Sequence, residues 1–300
     1  MTFDFKPAVR ENVSLLIALA GASGSGKTYS ALRLAKGMAP SGKIAMIDTE
    51  ARRGLHYAGQ FDFMHLDMRP PFKPERFTEA VHAAEQAGAE VVIIDSFSHE
   101  YDGVGGIVEW AAELEEGGTK SPANWKLPKV AHRKMVSAFL QCRVSLIFCL
   151  RADEKIEIVR EAGKTQVRPL GWLPICEKRF MYEMTASFTL TPDRPGRPSF
   201  ALPHKLQEQH RAMFHEGKPI DESAGQSLAA WARGGEPVTP DRPTLEQQGH
   251  ACAKQGMAVL SEFWGNLTPA EKHSVGGAAR LNAWKEIAVV AIEREPGEEG

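Results

Sequence analysis

Hydrophobic residues along this chain occur in short, mostly apolar runs that alternate with stretches of helical spacing. Four runs, each followed by a glycine or a charged residue, are typical of strands buried on both faces: 13–20, 44–47, 91–94 and 144–150. Between them, apolar side chains recur every three or four residues and predict helices at 28–38, 75–87 and 130–140. This alternation predicts an α/β fold in which a mainly parallel sheet carries helices on both faces.

Other segments follow the pattern less regularly. Alternating apolar and polar residues at 61–66 predict a strand that is exposed on one face. Further strands are predicted at 180–190 and 199–202, and a closing helix at 223–232. Within a glycine-rich stretch in the middle of the chain, only 107–114 predicts a helical turn or two.

A change in composition divides the chain. Glycine and proline are concentrated just before and within residues 236–244, which predicts a linker between a core domain at 1–235 and a helical appendage at 245–300. In the appendage, 245–263 and 270–294 have helical spacing and predict a small helical hairpin. The function predicted for this hairpin is to provide a surface that contacts a protein partner.

Composition excludes several classes of protein. The 300 residues carry a formal net charge of −2, which argues against a protein that coats nucleic acid by bulk electrostatics. The four cysteines have no CxxC spacing, so neither a disulfide framework nor a zinc site is predicted. No apolar run approaches the roughly 20 residues of a membrane span, and the first residues lack the features of a signal peptide. We therefore expect a cytoplasmic protein without a membrane partner.

Phosphate chemistry is predicted at the end of the first strand. The residues there have the Walker A spacing and lie between a buried strand and a helix: Gly21, Ala22, Ser23, Gly24, Ser25, Gly26, Lys27 and Thr28. Glycines let backbone N–H groups face the phosphates, and Lys27 reaches the β and γ phosphates. The Thr28 hydroxyl is suited to Mg²⁺. ATP and Mg²⁺ are therefore the predicted cofactors; a glycine-rich turn without a ligand is the alternative.

Asp95 follows the apolar run at 91–94, which is the Walker B arrangement of a carboxylate at the end of a buried strand. Its predicted role is to hold Mg²⁺ through water. The alternative is an aspartate that caps the next turn. Glu100, five residues further on, is expected to be a solvated surface residue.

Glu50 ends the stretch Ile44-Ala45-Met46-Ile47-Asp48-Thr49-Glu50, directly after the P-loop helix. In this placement the sequence resembles the RecA family, whose ATPases have a water-activating glutamate there. The resemblance implies that Glu50 is the general base. It continues at 146–151, where Arg151 replaces the nucleotide-sensing glutamine of RecA. Arg151 is then either a charged sensor of the γ-phosphate or a surface arginine.

The same resemblance implies contacts to DNA and to a neighbouring subunit. RecA proteins have a DNA-binding loop where this chain has residues 152–173, a stretch in which acidic residues also occur. The candidates for single-stranded DNA are Lys155, Arg160, Lys164 and Arg168. A solvated hairpin is the alternative for this stretch. Lys205 lies where RecA-like oligomers supply positive residues to a neighbour's nucleotide, and its alternative is an ordinary surface lysine.

Residues 13 to about 233 resemble compact RecA-like ATPases of bacteriophages, among them core-only recombinases that assist single-strand annealing. The resemblance implies a RecA-like P-loop core, a DNA-stimulated ATP hydrolase of phage recombination or replication in the host cytoplasm, and a homo-oligomer. Two other functions stay open. One is a nucleotide or small-molecule kinase with the basic stretch 155–168 as its lid, and the other is an ATP-switched regulatory or assembly protein without a DNA role.

Overall fold

The computed structural model describes residues 10, 13–161, 164–234 and 245–292. The chain divides into two compact units, Met1–Val238 and Thr239–Gly300. No helix among the described residues has both the length and the apolar character that crossing a membrane requires.

The first unit is built on one sheet, whose strands within the described residues are β1 Leu16–Gly21, β2 Ile44–Asp48, β3 Met64–Asp67, β4 Val91–Asp95, β5 Ser145–Glu161, β6 Lys164–Pro174, β7 Ala186–Leu190 and β8 Lys205–Leu206. Their order is β3-β2-β4-β5-β1-β7-β8, with β6 paired to β5 alone. All pairs are parallel except β5 with β6 and β7 with β8. The predicted mainly parallel sheet is therefore confirmed.

Helices cover both faces of this sheet, as predicted. They are α1 Lys27–Met38, α2 Pro74–Gln86, α3 Ser98–Asp102, α4 Ile107–Glu116, α5 Lys126–Gln141 and α6 Glu222–Ala232. Successive side chains of β1 alternate between two hydrophobic clusters, because a strand directs neighbouring residues to opposite faces. Ile17 packs in the cluster that contains Leu32 of α1, whereas Ala18 packs in the cluster that contains Phe139 of α5.

Of two later predicted strands, one is confirmed only in its second half and the other is wrong. Over 180–190, only β7 is a strand, and Phe180–Glu183 forms a 3-10 turn. The Phe180 ring packs 4.5 Å from Phe97 and 5.0 Å from Phe148, centroid to centroid, so its apolar character serves the core rather than a strand. Residues 199–202 form no strand; the chain turns there and pairs later, at β8.

Strand β5 is longer than its apolar run predicts. After Arg151 it leaves the parallel sheet and pairs in antiparallel fashion with β6, from Ala152 opposite Pro174 to Glu161 opposite Lys164. The stretch assigned to a loop or hairpin from the sequence is thus a β-hairpin that starts at the carboxyl edge of the sheet.

The second unit is helical, with α7 Leu245–Lys254, α8 Met257–Asn266, α9 Pro269–Ser274 and α10 Gly277–Ile292 in its described residues. The predicted pair of helices is wrong in detail, because each is divided. Gly256 at φ 111° separates α7 from α8, and Gly276 at φ 95° precedes α10. Trp284, which is 2% exposed, lies in the core that these helices share.

Candidate nucleotide site

The predicted phosphate and metal residues meet at one edge of the sheet. Parallel pairing places Gly21 at the end of β1 beside Arg151 of β5, and Asp48 at the end of β2 beside Asp95 of β4. The carboxyl ends of four strands therefore face one cleft of about 1130 Å³, which the P-loop and Glu50 also line. Ligands of open α/β sheets bind at this edge.

The P-loop leaves backbone and side-chain donors available to an anion. Gly26 has φ 82°, and a Cβ added there would lie 2.7 Å from the nitrogen of Gly196, so a side chain does not fit. Helix α1 begins at Lys27 without a side-chain cap, which leaves its first N–H groups for a phosphate. The Ser25 hydroxyl is buried and has no hydrogen-bond partner among the described residues. These features fit a bound triphosphate.

Lys27 lies folded over the P-loop. Its Nζ donates hydrogen bonds to the carbonyl oxygens of Gly21 and Ala22, each at 2.8 Å. Burial lowers the pKa of Lys27, and the carboxylates of Asp95 and Glu50 partly oppose that effect. The ammonium group thus lies in the loop that a phosphate would enter.

Thr28 and Asp95 form the oxygen pair that suits Mg²⁺. The Thr28 hydroxyl donates a hydrogen bond of 2.5 Å to Asp95 Oδ2. Burial raises the pKa of Asp95 to about 6, although the bond from Thr28 acts in the opposite direction. A hydroxyl and a carboxylate fit an ion that prefers oxygen ligands and shares them with substrate phosphates. Among the described residues, no group of three or more His, Cys, Asp or Glu side chains forms a separate metal cage.

The carboxylate of Glu50 is held by Arg151, which lies on β5 at the same edge of the sheet. Arg151 donates to Glu50 Oε1 from Nη2 at 2.8 Å and from Nε at 3.2 Å. Arg53 Nη1 lies 3.6 Å from the other oxygen, Oε2. Arg151 therefore lines the cleft and contacts the predicted base, while its side chain stays 45% exposed.

Asp48 orders the segment that carries Glu50, a role that sequence reasoning missed. Its carboxylate is 1% exposed and accepts hydrogen bonds from the backbone N–H groups of Glu50 and Gly54, both at 2.8 Å. His65 Nε2 lies 3.0 Å from its Oδ2. The only available signal was an aspartate at the end of a buried strand, two residues before Glu50.

The turn that follows Glu50 is strained. Ala51 and Arg52 have φ 55° and 71°, in the left-handed region that residues other than glycine seldom occupy. The hydrogen bonds that Asp48 accepts on either side of this turn, from Glu50 and Gly54, hold it in place.

Thr49 joins the ends of β2 and β4. Its hydroxyl donates to the carbonyl oxygen of Ser96 and accepts from the Ser96 N–H, both at 2.9 Å. The same hydroxyl lies 2.7 Å from His99 Nδ1 on α3. Arg151 is tied to the same helix, because its backbone N–H donates to the Ser98 hydroxyl at 2.9 Å. Helix α3 is therefore bonded to the segment that carries Glu50, just after β2, and to Arg151 of β5.

An aromatic group lines one side of the cleft and was also missed from the sequence. Tyr57 is in the cleft lining, and its ring lies 6.1 Å from that of Tyr29, the residue after Thr28. Tyr29 in turn lies 5.6 Å from Phe61. Rings at the mouth of a nucleotide cleft offer a stacking surface for a base.

Glu100 is not the solvated residue that we expected. It is 0% exposed, and its Oε1 lies 2.9 Å from Nδ1 of His132 on α5. The expectation is wrong because α3 directs the Glu100 side chain toward α5 rather than toward water. Burial raises the pKa of the Glu100 carboxyl. For His132, burial acts to lower the pKa, but the hydrogen bond and charge of Glu100 outweigh it and raise that pKa.

The remaining predicted residues are dispersed. Lys155, at the start of the hairpin, lines the cleft, whereas Arg168 on β6 is exposed and outside the cleft lining. The side chains of Arg160 and Lys164 lie outside the described residues. Lys205 is not in the cleft lining; its Nζ donates to the carbonyl oxygen of Tyr182 at 2.6 Å.

Comparison with known proteins gives one family. A family model described as an AAA domain matches residues 14–190, which is more than half of the chain and runs from just before β1 to the end of β7. The match includes the P-loop, Glu50, Asp95 and Arg151. No curated protein matches the chain.

Proposed function

The chain belongs to the AAA domain family of P-loop ATPases, and on that premise we propose that it is a Mg²⁺-dependent ATP hydrolase whose turnover is coupled to single-stranded DNA. The observation that carries the proposal is the convergence of Glu50, Lys27 and the pair Thr28–Asp95 on one cleft. A triphosphate, a divalent cation and a water molecule each find a matching group there.

The P-loop residues bind and orient the triphosphate. Residues Gly21 to Thr28 supply backbone donors and the dipole of α1, and Lys27 exchanges its two carbonyl partners for phosphate oxygens. Thr28 and Asp95 would hold Mg²⁺, with Asp95 acting through water. The chemistry that Mg²⁺ would supply at these residues is neutralisation of the charge that develops on the phosphates.

Glu50 takes the proton from the attacking water. Both bonds from Arg151 go to Oε1, and Arg53 Nη1 lies 3.6 Å from Oε2, so cations hold the carboxylate at both of its oxygens. Such a positioned base contributes about 10²–10⁴-fold to a rate. Arg151 is itself placed to respond to the γ-phosphate, because it lines the same cleft as Lys27.

A kinase would transfer the phosphate to a hydroxyl of a second substrate. The carboxylate of Glu50 in the cleft favours water as the acceptor. Within the described residues, 155–161 and 164–168 pair with each other as strands of a β-hairpin rather than forming a separate lid domain. Release of free phosphate without any phosphorylated acceptor, followed by mass spectrometry, separates the two reactions.

The DNA role rests on the resemblance to RecA-like phage ATPases and on the position of the hairpin. Strand β5 leads from Arg151 directly into the hairpin, and Lys155 and Trp172 belong to both the hairpin and the cleft lining. A structural change at the bound nucleotide could therefore reach the hairpin directly. The hairpin offers a cation for a phosphate backbone and an aromatic side chain for a nucleobase. On the same resemblance, we place the reaction in phage recombination or replication.

Assembly into a homo-oligomer is the second part of this proposal. Lys205 lies outside the cleft lining of its own chain, and its Nζ would exchange the carbonyl oxygen of Tyr182 for the nucleotide of a neighbouring subunit. Residues 236–244 lie outside the described residues, and their role as a linker stays part of the proposal. The helices of 245–292 would then present a surface to a protein partner.

The test is the ATPase rate of the full chain with and without single-stranded DNA over a salt series. We expect stimulation at low salt that declines as salt rises, because phosphate contacts release counterions. Lys27→Ala, which removes the P-loop ammonium, should abolish both rates and so exclude a contaminating enzyme. An equal rate with and without DNA at low salt would instead favour the ATP-switched regulatory or assembly protein.

A further inference from the structure

A second groove, of about 770 Å³, lies between α5 and the segment 177–183. Its cationic lining residues are Lys126, Lys129, Arg133, Lys178 and Arg179. Two carboxylates, Glu177 and Glu183, also line it. Positive charges therefore exceed negative ones by three here, whereas the whole chain has a net charge of −2.

These cations are not neutralised locally. Within the described part of the chain, none of the five forms an ion pair with a carboxylate. The contacts of Lys129 and Arg133 are with other groups: Lys129 Nζ lies 5.6 Å from the centre of the Trp125 ring, and Arg133 Nε donates to the carbonyl oxygen of Lys129. All five side chains belong to exposed residues, so the groove presents their charge to solvent.

We propose that this surface, the α5 groove, binds the phosphodiester backbone of single-stranded DNA; the inference rests on the proposed function and names where its DNA partner lies. The hairpin of β5 and β6 is a weaker candidate by charge, since Asp153 and Glu154 precede Lys155 directly.

The spacing of the cations matches a chain of phosphates. Lys126, Lys129 and Arg133 are three and four residues apart, so they share one face of α5. At a rise of about 1.5 Å per residue, they span roughly 10 Å, and a stacked strand has one phosphate per about 3.4 Å. One wall of the groove therefore covers about three nucleotides, and Lys178 and Arg179 face the same backbone from the other wall.

The groove also offers apolar surface for bases. Val136 and Leu140 line it, and Leu140 is 48% exposed, whereas the third apolar lining residue, Phe180, is 1% exposed and belongs to the core. Tyr182 is not in the groove lining, but it precedes the lining residue Glu183 and is 75% exposed, so it lies next to the groove in sequence. Cations beside apolar and aromatic side chains are typical of single-strand sites, where the backbone pairs with charge and bases stack. This mixture favours a nucleic acid over an acidic peptide.

Helix α3 connects the α5 groove to the nucleotide cleft. His132 lines the groove and is bonded to Glu100 of α3, while the adjacent residue of α3, His99, contacts Thr49 beside Glu50. The Glu100–His132 pair is buried, so a shift of α5 moves α3 as well. DNA bound in the groove would therefore shift the segment that carries the general base, Glu50. This chain of contacts would explain how DNA stimulates the ATPase.

The experiment measures the fluorescence anisotropy of a labelled oligothymidylate of roughly 20 nucleotides, longer than the about 4–16 nucleotides of common single-strand sites. Lys129→Glu/Arg133→Glu is compared with the full-length wild type, with the charge-conserving Lys129→Arg/Arg133→Lys, and with the hairpin variant Lys155→Glu/Arg168→Glu. ATP affinity and circular dichroism establish that each variant is folded. The single variants Lys129→Ala and Arg133→Ala replace the reversal if it does not fold.

We expect the groove reversal to weaken DNA binding by about tenfold or more at low salt and to reduce the salt slope by roughly 0.7 for each lost contact. Its basal ATPase rate should match that of the wild type, and its DNA-stimulated rate should be lost. The charge-conserving variant should bind as the wild type does.

Wild-type affinity in the groove reversal, with binding lost in the hairpin variant, would overturn the assignment of the groove and leave the proposed function intact. Absence of DNA binding by the wild type at low salt would overturn both. If a polyglutamate peptide then binds to the wild type and not to the groove reversal, the groove recognises an acidic protein instead.

Discussion

Arg151 Nη2 lies 2.8 Å from Glu50 Oε1, so an arginine at the end of the parallel part of β5 holds a glutamate that follows β2. These residues are 101 positions apart in the chain. Both bonds from Arg151 go to this one oxygen, so a charge-assisted pair fixes the position of Oε1. The orientation of the proposed base thus depends on a residue from a different strand.

Replacing Arg151 by alanine should reduce kcat by about 10- to 100-fold, because the base loses its orientation and the cleft loses a cation near the phosphates. ATP affinity should change little, since the P-loop supplies most phosphate contacts. Phosphate release and equilibrium ATP binding measure the two quantities. Arg143→Ala, a change of an exposed arginine outside the cleft lining, is the matched control. An unchanged kcat would make Arg151 an ordinary surface residue.

Asp48→Ala should lower both stability and kcat. Without the carboxylate, the N–H groups of Glu50 and Gly54 lose their acceptor, at a cost of about 1–3 kcal/mol for each group that stays buried. Urea unfolding and phosphate release check the two effects. Asp48→Asn retains an acceptor oxygen and should restore part of both, whereas the exposed control Asp62→Ala should change neither. Wild-type kcat in Asp48→Ala would exclude a positioning role.

Asp95 should make the stability of the metal-free protein depend on pH. Burial raises its pKa in the folded chain from 3.8 to about 6, so the folded state binds this proton more tightly than the unfolded state does. The resulting stability is complete below pH 3.8 and is lost as pH rises through about 6. Its total is about 3 kcal/mol.

The measurement is urea unfolding of the wild type and Asp95→Asn in EDTA between pH 4 and 7. Asparagine does not titrate, so the variant should gain roughly 2 kcal/mol relative to the wild type across this interval, less than the total because pH 4 already lies above the unfolded pKa of 3.8. A difference that is constant with pH would contradict the raised pKa of Asp95.

Tyr57→Ala should weaken ATP binding with little effect on kcat. The ring lines the cleft beside Tyr29, and stacking of a base on an aromatic side chain contributes about 1–3 kcal/mol. Calorimetry with ATP and with inorganic triphosphate separates base from phosphate binding: only the affinity for ATP should fall. Tyr57→Phe keeps the ring and should bind ATP as the wild type does. An equal loss for both ligands would remove Tyr57 from the base site.

The sequence predicts those features that depend on neighbouring residues. A strand such as β1 is apolar throughout because both of its faces are covered, and the P-loop is defined by eight consecutive residues. Both can therefore be predicted without knowledge of the fold. Partners that lie far apart in the sequence cannot be predicted in this way. Glu100 pairs with His132, 32 positions away, and Asp48 with His65, 17 positions away, so neither a buried glutamate nor an ordering aspartate has a local signature.

Phe180 gives a different reason for error. Its apolar character is required by the aromatic core around Phe97, yet the same character is what predicts a strand. In the appendage, Gly256 and Gly276 divide helices that the apolar spacing alone predicts as continuous. In both cases, a periodic pattern reports burial, while backbone geometry decides which element forms.

The most direct test of the account is the comparison of wild type, Glu50→Gln and Glu79→Gln in ATP binding and in phosphate release under Mg²⁺. Glutamine retains the size of Glu50 but cannot accept the proton from water, so kcat should fall by about 10²–10⁴-fold while ATP affinity is preserved. Glu79 is an exposed carboxylate on α2, and its variant should behave as the wild type. Turnover in Glu50→Gln at the wild-type rate would contradict the assignment of the base and, with it, the proposed mechanism.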